Sequence, residues 1–158
     1  MHWERMRSLN KKITPMIVLI ITCLLVIAAC SNRNIVTKTS DEEDDQSTET
    51  LGEKYGFTFF QLTADTKDMK IAIDAIYDEK RDKTEAMYES KIDDLYLYGN
   101  EAMEKLDSIF EELALEPEMD DEDMIKNASE AFEIIDYTSL KLNVKFKGHD
   151  TKELMMTK

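Results

Sequence analysis

The chain has 158 residues, 34 acidic against 20 basic, for a formal net charge of -14. That length holds one domain of ordinary size, and an apolar fraction of 42% supplies a packed core and argues against disorder throughout. The acidic balance argues against nucleic acid as a partner, since phosphates are held mainly by Lys and Arg, and two cysteines rule out a disulfide scaffold.

Residues 1–29 stand apart. Arg5, Arg7, Lys11 and Lys12 oppose a single acid, Glu4, and precede an uncharged apolar run of 14 residues from Met16 to Ala29. A membrane-spanning helix needs about 17–25 residues, so the run fits the core of a signal peptide better than a permanent span. Directly after it comes Ile27-Ala28-Ala29-Cys30, preceded by Leu25 and Val26. This segment resembles the lipobox of bacterial lipoproteins. The resemblance implies cleavage before Cys30 and a diacylglycerol thioether on its sulfur, hence a membrane anchor of more than one acyl chain. An uncleaved hydrophobic anchor is the alternative. In both cases the basic segment stays cytoplasmic and everything after residue 30 is exported. Loss of residues 1–29 leaves a net charge of about -17, no free thiol and one histidine, His149.

Residues 30–54 are polar and contain Asp41-Glu42-Glu43-Asp44-Asp45. Five like charges in a row repel one another and cannot pack, so this reads as a disordered acidic tether that spaces the domain from the membrane. A cation-binding acidic patch is the other reading.

The domain occupies 55–158. Phe57 to Ala64 is rich in aromatic and β-favouring residues and predicts a first strand. Thr66-Lys67-Asp68 turns the chain. Met69, Ile71, Ile73 and Ala75 then alternate with Lys70, Ala72 and Asp74, predicting a second strand. Asp78 to Lys83 is the next turn, and a third strand runs from Thr84 to about Ile92. Gly99 marks a change of period. Beyond it Ala102, Leu106, Ile109, Phe110 and Leu113 form one apolar stripe of a helix that ends before Pro117. A second helix is expected from about Asp120 to Ile134. In the last segment Leu140, Leu142, Val144 and Phe146 alternate with Lys141, Asn143 and Lys145, with a turn at 147–150 and a return strand from Thr151 to Met156. The order βββααββ predicts an α+β domain: an antiparallel sheet of about five strands with both helices on one face.

Four pieces carry a family resemblance: Phe57 to Leu62; Leu97-Tyr98-Gly99-Asn100-Glu101-Ala102 with Leu106; Leu115-Glu116-Pro117 before Asp121-Glu122-Asp123-Met124-Ile125; and the strand from Leu140 to Phe146. Together they resemble the YusW-like family of exported bacterial proteins, over about residues 56–157. That resemblance implies an exported domain, often lipid-anchored, with no assigned activity or binding residue to carry over.

Chemistry-bearing patterns are few. His149 stands beside Asp150 in a turn, without a nucleophile motif. No Gly-rich phosphate loop and no HExxH is present. The acids Glu116, Glu118, Asp120, Asp121, Glu122 and Asp123 lack the glycine of a calcium loop and read as a helix start, with Asp120 as its cap. Tyr96 and Tyr98, two apart, point one way if extended; they pack the approach to the first helix, or else grip a saccharide or peptide. Asn127-Ala128-Ser129 is a chance sequon.

The reading is therefore a lipid-anchored extracytoplasmic domain at the cell membrane, with Cys30 the one site residue. It acts by binding a protein or envelope polymer, without catalytic residues, metal or cofactor. An envelope-associated, acid-dependent hydrolase is the alternative, marked by several carboxylates lining a single cavity.

Overall fold

In the computed structural model, which describes residues 33–37 and 52–158, the aromatic and β-branched alternation after Gly56 produces a four-stranded meander. Its strands are β1 (Phe57–Thr66), β2 (Ile73–Glu79), β3 (Thr84–Ser90) and β4 (Leu95–Tyr98). Helices α1 (Asn100–Leu113) and α2 (Asp121–Ala131) follow, and the hairpin β5 (Tyr137–Phe146) and β6 (Thr151–Thr157) closes the chain. The six strands form one antiparallel sheet in the order β4-β3-β2-β1-β5-β6. The α+β architecture is as expected, with six strands rather than about five.

Side chains alternate across a strand, so register decides what meets the helices. Leu97, Tyr88, Ala75, Leu62, Leu142 and Leu154 lie on one rung across all six strands. All five stripe residues of α1 are buried against this face, as are Met124, Ile125 and Ala128 of α2. Phe57 and Phe60 both point inward despite their spacing, because a register shift between Phe57 and Phe59 inserts a residue. Phe60 sits in an aromatic cluster with Phe57, Phe110 and Phe132 at 5.1–5.7 Å.

Three boundaries differ from expectation. The second strand starts at Ile73, not Met69, and runs on to Glu79 through part of the expected turn. Met69 and Ile71 are exposed, and Ile71 has φ 50, where a β-branched residue is strained. The Asp65 carboxylate offsets that strain by accepting the Ile71 N–H at 2.7 Å. Residues 95–98, expected only as an approach to the helix, form β4, and Gly99 converts strand to helix at φ 59 and ψ -125, a conformation open to glycine alone. Helix α2 stops at Ala131, before the expected Ile134. Glu133 turns left-handed at φ 53, its N–H donates to Glu130 and that of Ile134 to Ser129. This Schellman closure also buries Ile134.

The expected signal peptide 1–29 and lipidated Cys30 lie outside the described residues. Of the expected tether 30–54, residues 33–37 and 52–54 are described. Val36 N–H donates to Thr84 C=O at 2.9 Å, Ala86 N–H to Asn34 C=O at 2.7 Å, and Thr37 bonds Asn100. Ile35 bridges Glu85, taking the place beside β3 that β4 is too short to fill. No helix among the described residues is long and apolar enough to cross a membrane.

Candidate functional site

The residues that alternate with the core make a second sheet face, and both helices lie on the other side. Three rungs define it. One reads Tyr96, Glu89, Asp74, Thr63, Lys141, Met155 from β4 to β6. The next reads Tyr98, Met87, Ile76, Gln61, Asn143, Glu153, and the third Ile35, Glu85, Asp78, Phe59, Lys145, Thr151. Phe59, Ile76, Met87 and Tyr98 are half-buried among their neighbours, whereas Tyr96 is 47% and Met155 69% exposed. The two tyrosines do point one way, onto this face.

Polar groups here are tied to one another. Thr63 Oγ1 donates to Asp74 Oδ1 at 3.1 Å, the Tyr98 hydroxyl donates to Glu89, and Asn143 Nδ2 donates to Gln61 Oε1 at 3.2 Å. Asn143 Oδ1 stays buried without a donor. Burial pushes the Asp74 carboxyl above the usual carboxylate range and Glu89 adds to this, against the Thr63 hydroxyl and Lys91. The face is also electrically divided. Asp74, Asp78, Glu85 and Glu89 sit on β2 and β3, with Glu85 held below its usual range chiefly by the Lys83 ammonium. Lys141 and Lys145, both exposed, sit on β5 and make no ion pair among the described residues, and the exposed Glu153 of β6 lies on the rung between them.

The acidic run expected at a helix start is indeed at the start of α2. Glu118 and Asp120 to Asp123 line an open hollow of about 590 Å³ with Lys152, whose ammonium lies 3.7 Å from Asp121. Asp120 occupies the cap position, but its side chain makes no capping bond. That corrects the expected carboxylate cap: the Asp120 C=O starts the helix ladder by accepting the Met124 N–H, and the carboxylate stays in water. Several carboxylates lining one cavity are the mark of the hydrolase alternative, and all five acids of this hollow are exposed to solvent. A cleft of about 400 Å³ between α1 and the end of α2 holds Tyr88, Lys105, Asp93, Glu112 and Glu133. Burial raises the Tyr88 phenol, with Asp93 and Glu133 adding to it, and Ser90 Oγ donates to Asp93 at 2.7 Å.

Among the described residues no group of three or more His, Cys, Asp or Glu is placed to hold a metal ion. His149 is exposed in the β5–β6 turn, and Ser129 of the sequon is buried in α2. Asp74 and Glu89, neighbours across β2 and β3, are the pair that sequence reasoning passed over. They are 15 residues apart in sequence, and only the pairing of β2 with β3 brings them together. They share an open surface, outside the hollow and the cleft just described.

Set against known proteins, residues 58–148 match the family model described as YusW-like protein, more than half of the chain. No curated protein and no solved structure matches.

Proposed function

The chain belongs to the YusW-like protein family, and on that premise we propose a bacterial lipoprotein, anchored through Cys30 on the extracytoplasmic face of the cell membrane, whose domain acts by binding. The observation that carries the binding role is a sheet face that no element among the described residues covers. It spans six strands and exposes Tyr96 and Met155. The basic segment, the 14-residue apolar run and Ile27-Ala28-Ala29-Cys30 support the anchor.

Two measurements test the reading. Cys30→Ala is expected to abolish fatty-acid labelling and release the protein from the membrane fraction; unchanged labelling would overturn the anchor. A photoreactive residue at Met155 or Tyr96 is expected to give covalent adducts in cells, and one at Glu130, exposed on α2, is not. Adducts from Glu130 alone would move the binding surface to the helices.

A further inference from the structure

We infer that the partner of the uncovered face is a second copy of this chain, stacked face to face about a two-fold axis parallel to the strands and passing between β1 and β2. The inference rests on reading that face as the binding surface. Its basis is that this operation sets Glu85 and Glu89 against Lys145 and Lys141, while the exposed Glu153 falls opposite Tyr98 and no like charges face each other. The axis exchanges β2 with the partner's β1, β3 with its β5, and β4 with its β6. Since the rungs run straight across the sheet, each residue meets one of its own rung. Glu89 then faces Lys141 of the other copy, and Glu85, already paired with Lys83 and Lys80 of its own chain, faces Lys145, each contact occurring twice. Tyr96 falls opposite Met155, the two most exposed large apolar side chains of this face.

The alternative two-fold, perpendicular to the strands, superimposes each strand on itself. It would set the acidic β2–β3 half against another acidic half, and lysines against lysines, which like-charge repulsion forbids. Packed sheets sit about 10 Å apart and rotated by roughly 30°. At β3 and β5 that rotation displaces facing residues by about one position, within the reach of lysine side chains.

Size is sufficient. Six strands about 4.8 Å apart and about 20 Å long present roughly 600 Å² per copy, or about 1,200 Å² in the pair, the lower bound for a specific interface. A dimer of this size is weak in free solution. Confinement to a membrane by the lipid raises the effective concentration and favours it. Lys141 and Lys145, which make no ion pair among the described residues, would gain partners.

The test uses the full lipidated chain, alone in phospholipid vesicles, with the photoreactive residue at Met155. Illumination is expected to give a covalent dimer whose adduct maps to β4 of the second copy. The double variants Lys141→Glu/Lys145→Glu and Glu85→Lys/Glu89→Lys should each lose dimer at least tenfold, since every facing pair becomes like-charged. Mixing the two should restore it, because each variant now complements the other. Tyr98 donates to Glu89, so Glu89→Lys carries a folding risk. The reciprocal single pair Lys145→Glu and Glu85→Lys, with thermal melting of every variant, covers that case. Well-folded variants that dimerise like the parent, or a mixture that does not recover, would overturn the proposal. Absence of dimer in vesicles, with adducts to a different protein in cells from the same position, would overturn the second copy and leave the face as a binding surface. No adduct from Met155 or Tyr96 in either setting would overturn both.

Discussion

Phe59 and Phe60 are consecutive, chemically identical and on opposite faces of β1, which makes them a sharp test of the fold. Phe60 has no exposed surface; its ring lies 5.7 Å from Phe57, 5.1 Å from Phe110 and 5.6 Å from Phe132, stacked on the last at 6°. Across the ladder it meets Tyr77 and Val144, both buried. Phe→Ala in such a core costs about 3–5 kcal/mol. Three ring partners place this site near the middle or above, about 4 kcal/mol, because each aromatic pair adds roughly 0.5–1.5 kcal/mol beyond burial. For a domain of this size, with unfolding entropy near 2 cal/mol/K per residue, the melting temperature should fall by roughly 15–20 °C. Phe59 is half-buried on the uncovered face, opposite Asp78 and Lys145. Phe59→Ala should cost about 1 kcal/mol or less. Urea denaturation at protein concentrations too low for self-association reads both values. Equal losses, or a larger loss at Phe59, would refute the face assignment and the rungs built on it.

The same logic extends to β5, where Val144 is fully buried and Lys145 exposed: Val144→Asp should cost at least about 3 kcal/mol and Lys145→Asp within about 1 kcal/mol in the same denaturation assay. Asp74 is held above the usual carboxylate range by burial, so its contribution to stability is unfavourable when ionised and appears as pH rises through the folded value. Asp74→Asn, which keeps an acceptor for Thr63, should therefore raise the melting temperature at pH 7, with the difference shrinking toward pH 3; a gain independent of pH would contradict the cause assigned. Asp120→Ala should change stability by no more than about 0.5 kcal/mol, because no capping bond is lost; a loss above about 1 kcal/mol would restore the carboxylate cap.

Much of the fold was legible from local pattern, and the reason is periodicity. The α1 stripe is buried at every predicted position, and β5 alternates as read, because apolar side chains at a fixed period leave a segment one way to hide them from water. The acidic run at 118–123 was legible as a helix start for the same local reason. Boundaries fared less well where the deciding interaction is distant in sequence. Met69 and Ile71 keep strand parity with Ile73, yet Asp65 captures the Ile71 N–H and the strand begins only at Ile73. Leu95–Tyr98 has four large side chains with no polar alternation, so only its ladder with β3 reveals a strand.

The candidate site belongs to the second kind. Nothing near Glu89 in sequence announces Asp74 or Tyr98, and nothing near Lys141 announces Thr63. What the sequence determined alone was the set of elements, their amphipathic faces and the N-terminal pattern ending at Cys30, all short-range properties. Tertiary structure decided which strands are neighbours. By returning β5 to the far side of β1, it set two lysines and Glu153 on one half of this face and four acids on the other. That separation of charge is a property of strand order, which hydrogen bonding between distant segments settles and no local periodicity encodes.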